Sequence, residues 1–243
     1  MLATDRKLPL PAALEKRSYV RAMFTAIAPR YDLLNHLLSL NADRRWRRQA
    51  VAALDWERTP GGRYLDLCAG TLDLAATLAN APGFSGQVIA ADFVLPMLAL
   101  GRGKGERVAP VNADALELPF VDAAFDGVMV GFGVRNLADL DQGLAEARRV
   151  LSNGGRLVIL ELAIPGWQPL RGLYFLYFRH LLPFIGKRIS RHRDAYDYLP
   201  ASVLAFPEPA ALARRMARAG FTAVSYRLLL GGICAIHVGT RAP

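Results

Sequence analysis

From residue 62 onward the chain alternates short apolar runs with helical stretches, and this alternation constrains the fold more than any other feature of its 243 residues. The runs are RYLDLC (63–68), QVIAAD (87–92), RVAPVN (107–112), FDGVMVG (125–131) and RLVILEL (156–162), with helical patterns near 72–80, 94–102 and 139–151. Runs that are apolar on both faces need cover on both sides, which a parallel sheet flanked by helices provides. The pattern predicts an α/β fold with a doubly wound, mostly parallel sheet. In such folds ligands bind beyond the carboxyl ends of the strands. Asp66, Asp92, Asp114 and Gly131 stand at or just past those ends and are expected to converge on one crevice.

Upstream, residues 12–54 carry apolar positions at helical spacing (Leu14, Tyr19, Met23, Phe24, Ile27; Leu33, Leu34, Leu37, Leu38; Trp46, Val51, Leu54), broken at Pro29 and near Asn41. This predicts three helices. Beyond residue 194 come two further helical patterns, the second ending at Gly220, and then TAVSYRLLL and GICAIHVG, a terminal hairpin closed by Gly231 and Gly232. The sheet then has seven strands. A length of 243 residues with 53% hydrophobic composition suits one domain. It divides into N-terminal helices (12–54), a cofactor-binding core (62–163), a helical lid inserted after the fifth strand (164–206), and a C-terminal helix and hairpin (207–243).

Cys68 and Cys234 are too few for a disulfide framework or a cysteine-ligated zinc site, and no metal site is expected. Charges interrupt every apolar stretch of MLATDRKLPLPAALEKR, so the expectation is a cytoplasmic chain without a signal peptide. The net charge of +9 is concentrated in RRWRR (44–48) and in residues 162–193, which hold Arg171, Arg179, Lys187, Arg188, Arg191 and Arg193 and no acid. Such a field serves nucleic acid, an anionic membrane or an acidic substrate, and charge alone does not choose among them. The stretch 167–193 mixes aromatics, leucines and arginines. It is too interrupted by charge to span a bilayer and suits a greasy lid that rests on anionic lipid.

The loop after the first run reads YLDLCAGTLDLAATLA (64–79). A strand, a small-residue turn with Gly70 and an immediate helix form a cradle for a nucleotide-type cofactor. Asp66 is placed to hold loop amides or a cationic amine, Asp92 to take both hydroxyls of a ribose, and Asp114 to meet an adenine edge. A phosphate-bearing dinucleotide calls for GxGxxG, which CAGTLD does not supply. S-adenosylmethionine has no phosphate and carries a sulfonium and an ammonium, so it gains from the acids. Leu72 stands where a second glycine would tolerate positive φ. The loop amides stay available if Leu72 keeps φ negative and turns its side chain toward the sheet–helix interface.

With these residues in view, the chain resembles the C-methyltransferases of menaquinone and ubiquinone biosynthesis over about residues 22–239. The resemblance rests on YDLLNHLLSLNADRRW (31–46), LPFVDAAFD (118–126), GFGVRNLADLDQGLAEARRVL (131–151), RVLSNGGRLVILELA (149–163) and YDYLPASVLAFP (196–207). It implies a Rossmann-like enzyme that methylates a ring carbon of a polyprenylated quinol with S-adenosylmethionine. By position, Thr71, Asp92, Asp114, Ala115 and Gly131 would contact the cofactor, with Tyr31, Asp66 and Gly70 shaping its pocket. A histidine common in the first signature is Asp43 here, and Ser152, Asn153 and Ala163 replace a lysine, a proline and a serine. These departures are read as peripheral.

Carbon methylation of a quinol needs the phenolate, and a buried cation favours it. Arg135 in GFGVRN is the candidate, with Asn136 as a hydrogen-bond partner to the ring oxygen. Tyr174, Phe178 and Tyr198 are expected to line the substrate pocket. His36, His180, His192, His237, Tyr198 and a bound water are alternatives for the general base, which stays unassigned. The expected partners are a polyprenylated quinol and, transiently, an anionic membrane surface to which the cytoplasmic chain attaches peripherally. Nucleic acid is not expected, and a homodimer is left open. Two other readings remain: a methyltransferase of RNA or another small molecule, and a non-catalytic homologue disabled by Leu72.

Overall fold

The computed structural model describes residues 13–177 and 193–242. Five parallel strands follow the five apolar runs: β1 (Arg63–Leu67), β2 (Gln87–Asp92), β3 (Val108–Asn112), β4 (Phe125–Gly131) and β5 (Leu151–Leu162). The hairpin strands β6 (Phe221–Leu229) and β7 (Cys234–Arg241) complete one seven-stranded sheet of order β3-β2-β1-β4-β5-β7-β6, with β7 antiparallel to both neighbours. The fold is the doubly wound α/β arrangement the alternation predicts.

Residues on successive strand positions go to opposite faces, so each face has its own core. On one side Tyr64, Met129, Val158 and Leu160 pack with Trp46, Val51 and Leu78, and on the other Leu65, Val128, Val130 and Ile159 pack with Leu144, Leu212 and Met216. The helices supplying these side chains are α3 (Ala42–Ala53), α4 (Asp73–Ala79), α6 (Leu140–Val150) and α9 (Pro209–Arg218), numbered over the described residues. The remaining helices are α1 (Ala13–Ile27), α2 (Tyr31–Leu38), α5 (Leu95–Gly101), α7 (Gln168–Leu176) and α8 (Arg193–Ala205).

The N-terminal breaks fall where proline and asparagine place them. Pro29 opens a short 3₁₀ turn, and Asn41 takes the left-handed conformation (φ 61°) before α3. One boundary differs: β5 begins at Leu151, not at Arg156. Leu151 already pairs with Phe125, and the register shifts before Gly127 meets Arg156. The extra residues form a bulge with Gly154 at φ 77°, so a turn-like sequence continues the strand.

Candidate active site

The strand order reverses between β1 and β4, so the loops after those strands part and open a cleft at the carboxyl edge of the sheet. Gly70 comes from the loop after β1, Asp92 from the end of β2, Asp114 and Ala115 from beyond β3, and Gly131 and Asn136 from the end of β4 and beyond. Helix α1 roofs the cleft with Arg17, Val20 and Phe24, and Tyr31 of α2 closes one side. The free cavity beneath this roof is about 60 Å³.

Asp92 ties two walls of the cleft together. Its Oδ2 accepts the Gly70 amide at 2.9 Å and its Oδ1 accepts the Val94 amide at 2.8 Å. Burial pushes its pKa up, against the pull of these amides. Asp114 accepts the Leu116 amide at 3.0 Å and pairs with Arg17 Nε at 2.7 Å, a partner from α1 that no strand-end rule foresees. Asp66 sits outside the cleft wall, 1% exposed, with Oδ2 accepting the Ala75 amide at 2.8 Å and Oδ1 without a partner among the described residues. Burial, reinforced by the Asp92 charge, raises its pKa to about 8 despite that amide.

A carboxyl whose pKa is higher folded than unfolded holds more protons in the folded chain, so this group makes stability fall as pH rises from about 4 to about 8. Asp66→Asn is expected to flatten that slope when unfolding midpoints are measured between pH 5 and 8. Equal slopes in both proteins would assign the pH dependence elsewhere.

Leu72 corrects one expectation and meets another. Its φ is +67°, in the left-handed region, where a negative value was expected. Its side chain is 2% exposed in the core between α4 and the sheet and takes no part in the cleft wall. Thr71 is not among the residues lining the cleft, and its Oγ1 donates to Asp32 Oδ1 at 2.5 Å. Lys104 Nζ bridges Asp32 and Asp73 at 2.6 Å each, and Arg47 reaches Asp73 at 3.4 Å, so α2 and α3 are fastened to the start of α4.

Across Phe24, Tyr31 and Phe132, which border both spaces, lies a second cavity of about 400 Å³. Met23, Ile27, Trp46, Leu162 and Ile233 make most of it apolar, and Tyr174 and Tyr198 stand in its wall. Burial raises the Tyr198 phenol to about 12 and the Tyr174 phenol as well. Phe178, His180 and His192 lie outside the described residues, as do Arg179, Lys187, Arg188 and Arg191.

Arg135 faces this cavity as a buried cation. Its Nη1 donates to Phe132 O at 2.6 Å and to Glu161 Oε1 at 2.7 Å, while Nε has no partner among the described residues. Burial alone would lower its pKa, but Glu161 together with Tyr31 and Tyr198 outweighs that and raises it. Glu161, 1% exposed near the end of β5, is a fourth strand-end acid that the sequence reading passed over.

Asn136 is placed otherwise than expected: it lines the cleft, not the larger cavity, and its Oδ1 is buried without a partner among the described residues. His237 Nε2 donates to Pro209 O (2.9 Å), and the ring stacks on Tyr226 and does not reach the cavity wall. Asp43 is not peripheral. It is 2% exposed, lines the larger cavity and contacts His36, Ser39 and Arg47.

A family model described as the ubiE/COQ5 methyltransferase family matches residues 12–241. The chain belongs to this family. Among relatives, a demethylmenaquinone methyltransferase of Thermus thermophilus is 53% identical over 90% of this chain and 100% of its own length. A demethylmenaquinone methyltransferase of Deinococcus radiodurans is 45% identical over 99% of this chain and all of its own length. A ubiquinone/menaquinone biosynthesis C-methyltransferase UbiE of Citrifermentans bemidjiense is 44% identical over 95% of this chain and 99% of its own.

Among solved structures, a possible histamine N-methyltransferase from Thermotoga maritima superposes with a TM-score of 0.66 at 19% identity, covering 90% of this chain and 98% of its own. A phosphoethanolamine N-methyltransferase of Haemonchus contortus, solved with S-adenosyl-L-methionine, gives 0.58 at 15% identity over 79% of this chain and 52% of its own. These two speak for the fold. As a member of the family, the chain is a methyltransferase.

Proposed function

We propose that the chain methylates a ring carbon of a polyprenylated quinol, converting a demethylmenaquinol-type naphthoquinol to its methylated form, with S-adenosylmethionine as methyl donor. The observation that carries this reading is the pair of adjoining spaces: an acid-lined cleft and, across Tyr31 and Phe132, an apolar cavity of about 400 Å³ holding two buried arginines. The names of the Thermus and Deinococcus relatives support the naphthoquinol over a benzoquinol.

The cleft suits the cofactor. Asp92, Asp114, Gly70, Ala115, Gly131 and Tyr31 would hold it, with Asp66 behind them, and Asn136 Oδ1 in the cleft wall, an acceptor without a partner among the described residues, suits a ligand that brings an ammonium and hydroxyls. When bound, S-adenosylmethionine supplies an electrophilic sulfonium methyl group. The chain's own contribution is to position and ionise the quinol. The apolar walls exclude water, and Arg135, held by Glu161, lowers the free energy of a phenolate oxygen beside it.

The mouth of the larger cavity supports peripheral attachment to an anionic membrane. Leu40 (86% exposed), Leu173 (61%) and Leu230 (61%) line the cavity and also face solvent, with Arg44, Arg45 and Arg171 exposed close by in sequence. Among the described residues no helix is long and apolar enough to cross a membrane. A leucine rim with nearby basic residues suits a surface contact through which a prenyl tail passes. In a transfer assay with labelled S-adenosylmethionine, label is expected in demethylmenaquinol, faster from anionic than from neutral vesicles and suppressed by salt. Label in RNA and in neither quinol would overturn the reading.

A further inference from the structure

Making a quinol nucleophilic releases a proton inside an apolar cavity, and few groups there can take it. Tyr31, Tyr174, Tyr177 and Tyr198 face the cavity, but burial pushes each phenol above its ordinary value, so at neutral pH they hold their protons. Arg47 and Arg135 face it as cations. Among the described residues the wall has a single carboxylate, Asp43.

We propose that Asp43 is the proton acceptor for the quinol hydroxyl and that His36 carries the proton from Asp43 to solvent. The proposal rests on the reading of the cavity as a quinol site. Asp43 stands in the first turn of α3, where Ser39 Oγ donates to its Oδ1 at 2.7 Å and Arg47 Nη1 donates to its Oδ2. His36 Nδ1 lies 2.8 Å from the same Oδ2. The Arg47 guanidinium sits 5.9 Å from the centroid of Phe132, so the Asp43–Arg47 pair stands beside the ring that divides cavity from cleft.

The side chain of His36 is 25% exposed against 3% for Asp43, which makes a short path from the buried carboxylate to water. The groups facing Asp43 are His36 of α2, Ser39 just past its end and Arg47 of α3, with Asp73 of α4 behind Arg47. Burial would raise the Asp43 pKa, but Ser39, Arg47 and His36 together bring it below its ordinary value, so the group stands as an ionised carboxylate.

The proton balance is as follows. The phenolic O–H bond breaks, its proton goes to a carboxylate oxygen of Asp43, and its electron pair stays on the quinol oxygen. The ring carbon's new bond to the methyl group draws on an electron pair of the ionised ring, and the pair of the donor's methyl–sulfur bond would stay on sulfur. The same carbon then gives up its hydrogen as a proton and returns the C–H pair to the ring. One proton returns to the oxygen and one leaves through His36.

The test uses Asp43→Asn and His36→Gln with two quinols, the ordinary one and an analogue acidified by an electron-withdrawing substituent so that it is already ionised at the assay pH. On the ordinary quinol, Asp43→Asn is expected to slow methyl transfer by about 10²–10⁴-fold, the usual scale of general-base catalysis, and His36→Gln to slow it less. The acidified quinol should restore most of the rate in both variants, while calorimetric affinity for S-adenosylmethionine stays near wild type; Asp43→Asn, which takes a charge from the buried pair with Arg47, should also melt at a lower temperature. Wild-type turnover in Asp43→Asn would overturn the proposal, as would equal losses on the two quinols. Should Asp43→Asn fail to fold, His36→Gln alone decides: rescue by the acidified quinol supports the path and equal loss overturns it. A wild-type chain inactive on both quinols removes the cavity's assignment and the proposal with it.

Discussion

Arg135→Ala is expected to lower the melting temperature by on the order of 10 °C as well as to reduce turnover. Alanine leaves Glu161, 1% exposed, as an uncompensated buried charge, and removing one partner of a buried pair costs about 3–5 kcal/mol. For a domain of this size each kcal/mol moves the midpoint by roughly 2–4 °C. Glu161 also accepts the amides of Arg135 (3.3 Å) and Leu162 (2.9 Å), so its charge cannot turn away to solvent without breaking the β5 terminus. Combining Arg135→Met with Glu161→Gln should recover much of the stability and none of the turnover, separating the structural from the catalytic contribution. A single Arg135→Ala variant that melts with the wild type would show that the pair contributes nothing to the fold.

Asp92→Ala is expected to weaken S-adenosylmethionine binding by about 10²–10⁴-fold. The carboxylate holds the Gly70 and Val94 amides at 2.9 and 2.8 Å, and hydrogen bonds to a charged group contribute about 1.5–3 kcal/mol each, with tenfold in affinity for every 1.4 kcal/mol. Losing it frees two walls of the cleft at once, before any contact with ligand is counted. Titration calorimetry measures the affinity directly. Turnover at saturating cofactor should change far less, because Asp92 does not reach the larger cavity. Wild-type affinity in the variant would reduce Asp92 to a local turn-former.

The sheet and most helix limits were legible because two-sided apolar runs and helical spacing are local signals, and Pro29, Asn41 and Gly220 punctuate them. The acids at the ends of β1 and β2 were legible for the same reason. Partnerships across the chain were not. Arg17 meets Asp114 over 97 residues and Lys104 meets Asp32 over 72, and neither pair carries a period or spacing that marks it beforehand. Glu161 could have been found by extending the strand-end rule to β5. Asp43 was misjudged because only the fold brings the first turn of α3 against the larger cavity. Asn136 adjoins Arg135 in sequence, yet the 3₁₀ turn Val134–Asn136 sends the two side chains to different chambers.

The left-handed Leu72 has a counterpart further along the chain. A Cβ added to Gly101, at the end of α5, would lie 2.3 Å from Leu72 Cγ and 2.6 Å from Thr71 O. The two positions therefore act as a unit of volume: the bulk missing at 101 is supplied at 72, at a conformational cost of about 1–2 kcal/mol for the leucine. Alanine at 101 with leucine kept at 72 would collide within the layer between α4 and α5.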